Sequence, residues 1–205
     1  QPVKRLRAAA ARMISDLSEE SAWGFKLPEN ILLLPEMKQA FPSATYVHMV
    51  RDPLTTCLRR THMTARLDNH IGRITLPQAY DYLNLSRRSI LDDGPVRHMA
   101  YTTIHQLALV EKFKSEIDED RFTTVRFEDV IAKPQMVLLE LSNRLGLHPS
   151  TLRVLSQVDP DRANSPRQPF QESAVSDAKK LLAKTRKRWG YGRFWSKFLR
   201  KIHLH

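Results

Sequence analysis

The chain has 205 residues, 41% of them hydrophobic and 27% charged, with a formal net charge of +11. That length can bury a sizeable core, and no apolar run approaches the ~18 residues of a membrane-crossing helix. A single cysteine, Cys57, excludes an internal disulfide framework and suits a reducing, cytoplasmic setting.

In chain order, the alanine- and arginine-rich opening from Gln1 to Met13 reads as the middle of a helix. Three segments come next: Trp23-Gly-Phe-Lys-Leu-Pro28, Ile31-Leu-Leu-Leu-Pro35 and Phe41-Pro42. They lead into Thr45-Tyr-Val-His-Met-Val50, whose β-branched and aromatic residues predict a buried strand. The strand passes through Arg51-Asp52-Pro53 into a helical pattern. Asp52 suits the N-cap, and Pro53 suits the first helical position, where its missing N–H costs nothing. Arg51 is therefore expected at the carboxyl end of a strand, where open α/β sheets bind ligands, beside a helix N-terminus that favours phosphate or sulfate.

Thr55, Arg59, His62 and Arg66 recur at helical spacing after Pro53, while Leu54, Leu58 and Leu67 lie nearer the other side. The polar stripe offers several donors to one anion. Equally, it is a solvated helix face carrying ordinary basic residues, and this segment alone does not choose. Cys57 on the same helix reads as a buried filler. The stretch Arg66-Leu-Asp-Asn-His-Ile-Gly-Arg73 is expected between two helices, with Asp68, His70 and Arg73 either facing a substrate or capping helices.

A helix is predicted over Leu76–Leu91, begun by Thr75-Leu-Pro77 and stopped near Asp93-Gly94. A longer one runs from Pro95 to about Ile117, with Met99, Ile104, Leu107, Val110 and Phe113 as its core stripe. Phe122–Phe127 is the second clear strand. Pro134–Leu145 follows as a helix with Gly146 as its cap, and Val158–Gln171 is expected to be a loop. Strands alternating with helices predict an α/β fold, a parallel sheet flanked by helices and rich in helix. No HExxH or Cys/His spacing occurs, so no metal site is expected.

Residues 178–205 hold ten Lys or Arg and no acid, which leaves the preceding 177 residues near balance at +1. A polyanion-binding body is therefore not indicated. The basic and aromatic tail has nucleic acid, an anionic membrane surface or an acidic substrate as candidate partners. The plainer reading is a terminal amphipathic helix whose Phe194, Trp195, Phe198 and Leu199 dock on the domain.

The order of these pieces carries a resemblance. Lys26-Leu-Pro28, the strand ending in Arg51-Asp-Pro53, Phe127-Glu-Asp129, Pro134 and Leu145-Gly-Leu147 together resemble the PAPS-dependent sulfotransferases, particularly their bacterial branch. The resemblance covers roughly residues 20–150, and Trp189-Gly-Tyr191 is similar to the usual end of such domains. It implies a P-loop-NTPase-like sheet in one domain over residues 1–205. It also implies transfer of a sulfuryl group from 3′-phosphoadenosine 5′-phosphosulfate to a hydroxyl or amine, leaving adenosine 3′,5′-bisphosphate, without a metal. The acceptor would be a small molecule, glycan or lipid.

By that resemblance Arg51 is a ligand of the 3′-phosphate. Arg59 stands where the family carries a serine, so Thr55 or Thr56 would supply the hydroxyl. Phe127 would lie near the adenine, and Glu128 and Asp129 would fix nearby loops. Lys26 falls where members carry the residue facing the acceptor hydroxyl, with His62 as an alternative base. Arg186, Lys187 and Arg188 would close over the nucleotide. The family's Gly/Ser/Thr-rich loop for the 5′-phosphosulfate does not occur, and no glycine precedes Gly24. The chain thus reads as a domain beginning after that loop. A non-catalytic module binding a nucleotide or partner, and a basic nucleic-acid-binding protein, are the other readings.

Overall fold

The computed structural model describes residues 1–16, 22–58, 65–147, 158–159 and 170–192. It falls into two compact units, Gln1–Val50 with Leu109–Ser165, and Arg51–Ala108 with Pro166–His205. The fold is α/β and rich in helix, with two parallel strands among the described residues.

In the first unit, α1 (Pro2–Met13) opens with proline at its first position and packs on α2 (Leu34–Ala40), a helix not expected from the sequence pattern. Arg7 fixes that contact by donating to the carbonyls of Ala40 and Gln39, both at 3.0 Å. A 3-10 turn, Pro28–Leu32, precedes α2. Strands β1 (Tyr46–Val50) and β2 (Phe122–Arg126) pair in parallel, from Tyr46 with Phe122 to Val50 with Arg126. Tyr46 and Phe122 both meet Phe113, with ring centroids 4.8 and 6.2 Å apart.

The β1 strand is less enclosed than its composition predicts. Tyr46 and Val50 are buried, but Val47 and Met49 remain 43% and 55% exposed. The β2 strand ends at Arg126, one residue earlier than expected, because Phe127 opens α7 (Phe127–Ala132). Glu128 and Asp129 then occupy that helix's first turn, where carboxylates complement its dipole. Helix α8 (Pro134–Leu145) closes as foreseen: Gly146 turns left-handed (φ 63°), and Leu147 donates to the Ser142 carbonyl at 2.9 Å. Arg144 near its end reaches the Glu119 and Phe122 carbonyls and so ties α8 to the start of β2.

In the second unit, α3 (Pro53–Cys57) and α9 (Glu172–Leu181) share a core of Leu54, Cys57, Leu58, Val96, Met99, Ala100, Ala178 and Leu182. Cys57 is the buried filler that was expected. Its thiol lies 3.3 Å from the Val96 carbonyl, and burial pushes its pKa up to about 12, which leaves no nucleophilic thiolate at neutral pH. Helix α4 (His70–Tyr82) begins six residues before the predicted start, because the Asn69 side chain accepts from the Ile71 N–H and caps it.

Pro77 lies inside α4 rather than opening it. Its lost hydrogen bond is offset by the burial of Leu76, Ala79 and Tyr80. The helix also stops well before Leu91. Asn84 adopts φ 55°, with Asn84 donating to Asp81 and Leu85 to Tyr80, the two closing bonds of a Schellman motif. Only then come the short α5 (Ser89–Asp92) and the long α6 (Pro95–Lys114), which carries the foreseen core stripe with Ile104 only half-buried. The Tyr80 hydroxyl donates to Asp93 at 2.7 Å. Arg97 bridges Asp93 at 2.9 Å and Asp177 at 2.6 Å, so α4, α6 and α9 are joined through one charged cluster.

Gly72 is required where α4 begins. A Cβ there would stand 1.9 Å from the Arg66 carbonyl oxygen. Gly72→Ala is expected to lower stability by about 2 kcal/mol, despite the ~1 kcal/mol that alanine gains in helix propensity. A urea midpoint at or above that of the parent protein would refute this close approach.

Candidate functional site

The strand-to-helix junction is built around Asp52. Its Oδ1 accepts the Leu54 N–H at 3.0 Å and its carbonyl accepts the Thr56 N–H at 2.9 Å, so it caps α3 with both groups. Pro53 is buried at the first helical position, as the sequence predicts. A second function of Asp52 was not legible. The Arg186 guanidinium grips the same carboxylate through two bonds, Nε to Oδ1 at 2.8 Å and Nη2 to Oδ2 at 3.0 Å. Both side chains are largely sheltered, at 18% and 27% exposure. A two-pronged fork of this kind fixes orientation as well as charge.

The local sequence explains how Arg186 is held there. Helix α10 (Ala183–Arg188) follows α9 after Leu182, which is fully buried. Gly190 then takes a left-handed conformation (φ 76°). Gly190 donates to Lys187 at 3.1 Å and Tyr191 to the Arg186 carbonyl at 2.7 Å, which ends the helix in a Schellman motif. Tyr191 is buried. Trp189-Gly-Tyr191 therefore anchors the backbone of the residue whose side chain clamps Asp52. The Gly signal was readable; its consequence for Arg186 needed the fold.

Arg51, between buried Val50 and the clamped Asp52, is half-buried, and its Nε is closed off from solvent. Thr55 and Thr56, in the turn after Pro53, are half-buried too. The predicted stripe does not extend as one helix. The described helix ends at Cys57, Leu58 already departs from helical angles (φ −94°, ψ 8°), and Arg59 and His62 lie outside the described residues. Arg66 is not helical. It pairs with Asp68 in an exposed contact, because the chain there must turn into the Asn69 cap of α4. His70 and Arg73 belong to the first turn of α4 rather than to a connecting loop.

Lys26 and Phe127 belong to the first unit; Arg51, Thr55, Arg186 and Lys187 belong to the second. Lys26 is exposed in a segment without regular secondary structure. Its neighbours anchor that segment: Trp23 and Phe25 both pack edge-on against Phe41, with centroids 5.8 and 6.0 Å away. Phe127 is half-buried. The register of the sheet pairs Val50 with Arg126, so the strands end level, just before Arg51 and just before Phe127. Lys187 is exposed, unlike its neighbour Arg186. Among the described residues, no group of three His, Cys, Asp or Glu is placed to hold a metal ion, and no helix is long and apolar enough to cross a membrane.

Chemically, the Arg186 fork offsets the charge of Asp52 at the junction where half-buried Arg51 follows β1. No functionally curated protein matches the chain. One solved structure, the sulfotransferase domain from the curacin biosynthetic pathway, is similar over 87% of this chain and 68% of that one. The TM-score is 0.52 at 14% identity, a likeness of fold. Residues 3–150 match the model of the Sulfotransferase family. On that match, which extends across most of the chain and includes the strand, the Arg51-Asp-Pro53 junction and α8, this protein belongs to the sulfotransferase family.

Proposed function

We propose that the protein acts on 3′-phosphoadenosine 5′-phosphosulfate, with Arg51 holding the 3′-phosphate, and passes its sulfuryl group to an acceptor hydroxyl or amine. The observation that carries this reading is the junction itself: a half-buried arginine at the end of β1, next to an aspartate clamped from α10. The donor supplies the activated sulfuryl group, and the protein supplies placement and charge.

In this reading Arg51 and the Thr55 hydroxyl bind the phosphate, and Phe127 offers a ring for the base. Arg186 has its fork committed to Asp52 and so acts as a positioning residue for Arg51. Lys187, exposed one residue on, is the candidate to contact the nucleotide from α10. Arg59 adds a further cation. Lys26 stabilises charge on the sulfuryl oxygens, and His62 is the candidate base for the acceptor proton. A small molecule, glycan or lipid bearing a hydroxyl or amine is the acceptor class.

Thermal-shift titration with adenosine 3′,5′-bisphosphate tests this. At a hundredfold excess over its dissociation constant, the nucleotide should stabilise the protein by about 2.7 kcal/mol, a rise of roughly 5–10 °C. Arg51→Ala should abolish most of that rise while leaving the unliganded melting temperature within about 2 °C. An undiminished shift in Arg51→Ala would remove Arg51 from the site. The second reading is a nucleotide-binding module without turnover. Nucleotide stabilisation without transfer of radiolabelled sulfate to any acceptor would select it.

A further inference from the structure

Two guanidinium forks stand along one stretch of helix in the second unit. Arg97 of α6 donates from Nε to Asp177 of α9 at 2.6 Å and from Nη1 to Asp93 at 2.9 Å. About 13 Å further along the same helical path, Arg186 of α10 grips Asp52. The backbone between them does not break where α9 meets α10. Leu182, at the joint, stays in the right-handed helical region (φ −86°, ψ −2°). Its N–H donates to the Ala178 carbonyl at 2.9 Å, and its own carbonyl accepts the Arg186 N–H at 2.8 Å. Ala178 and Leu182 are both fully buried. A ladder joined in this way moves as one body, so a shift at Asp177 carries to Arg186.

Stability alone is a poor account of the Arg97 pair. Its side chains are 49% and 36% exposed, and ion pairs so open to solvent contribute little. Its geometry is nevertheless well fixed. Tyr80, whose ring is buried, donates to Asp93 at 2.7 Å and so holds the second carboxylate that supports Arg97. We propose that Arg97 and Asp177 are positioning residues for the anion site. Their pair sets where α9, and with it α10, lies in the second unit, and hence how Arg186 meets Asp52 beside Arg51. The effect on a ligand rests on the nucleotide reading; the link between the two forks does not.

Asp177→Ala tests this, because it releases α9 while leaving Arg97 with Asp93 and Tyr80. The melting temperature should stay within about 2 °C of the parent protein. By NMR of the 15N-labelled chain, the Arg186 Nε–H (assigned by its loss in Arg186→Leu) should exchange with solvent roughly tenfold faster. Adenosine 3′,5′-bisphosphate should bind roughly fivefold more weakly, and Asp177→Ala should cause no further loss in an Arg186→Leu background. Arg97→Gln should reproduce both changes. An unaltered exchange rate would overturn the proposal, since the buried Ala178 and Leu182 would then place Arg186 unaided. Equal nucleotide losses with and without Arg186 would overturn it too, because the two forks would be acting independently. A drop of more than about 5 °C in the melting temperature would make the pair a stabilising contact instead. If the parent protein binds no nucleotide, the reading of the site fails, and the exchange rate still decides for or against the link.

Discussion

Asp52→Ala should destabilise the protein by about 2–3 kcal/mol in urea denaturation. The substitution removes an N-cap, worth about 1 kcal/mol, and leaves the mostly sheltered Arg186 cation without its carboxylate. Breaking a fully buried pair costs about 3–5 kcal/mol; the residual exposure of both groups here discounts that to about 1–2 kcal/mol. Asp52→Asn keeps a capping oxygen but halves the fork, so it should lose less than the alanine. Arg186→Leu leaves Asp52 still bonded to the Leu54 N–H and should cost about 1 kcal/mol.

The double variant then separates the pair from the cap. Asp52→Ala with Arg186→Leu should be more stable than the sum of the single losses predicts, by about 1–2 kcal/mol. Strict additivity would mean that the fork contributes nothing. The same variants bear on the proposed role of Arg186. As a positioning residue for Arg51, its loss should weaken nucleotide stabilisation only partly, with Arg186→Lys restoring little, because an ammonium lacks the two-pronged geometry.

Acidification is expected to have a comparable effect. Burial lowers the His48 pKa from 6.5 to about 4. Burial also lowers His98, against the opposing influence of its bond with the Ile90 carbonyl, and lowers His105. Each of these rings is held neutral in the folded state at a pH where the unfolded chain would protonate it. Between about pH 6.5 and 4 the unfolded state thus binds more protons, and stability falls as pH falls. His48 alone contributes up to about 3 kcal/mol of that loss.

Asp93 acts in a different window. Burial works to raise its pKa, but hydrogen bonds from Arg97 and Tyr80 outweigh this and hold it below the usual carboxylate value. Its contribution is present above the unfolded pKa and is lost only as pH falls through the depressed folded value, so it adds to the acid loss below about pH 4. Calorimetry at about pH 7, 6 and 5 should therefore show a falling melting temperature. His48→Leu should flatten the decline, because Leu can remain packed near Phe122 without a proton to bind. An equal slope in the variant would remove His48 as a cause.

Much of the local structure was legible because it depends on residues close in sequence. Pro53, Pro95 and Pro134 do open helices, Gly146 does end one, and the apolar runs around Val50 and Val125 do pair as parallel strands. The helix over residues 70–82 was misplaced for a similar local reason. Pro77 is a strong start signal, but it lost to the Asn69 cap and to the burial that its neighbours gain, while Asn84 ends the helix in a left-handed conformation. The site was half legible. Arg51 and the Asp52 cap follow from a strand, a capping acid and a proline in succession.

The sequence by itself determined the two strands, several helix ends, the family and the place of Arg51 after β1, since each is written in short-range chemistry: caps, prolines, glycines and the order of motifs. Only the tertiary structure decided that Arg186, 134 residues away, has its guanidinium on Asp52, and that the basic helix therefore has one inward cation and an outward row of them. Ion pairs over such separations depend on which helix packs where. That is set by the burial of Leu182 and Tyr191 rather than by any pattern around the charged residues themselves.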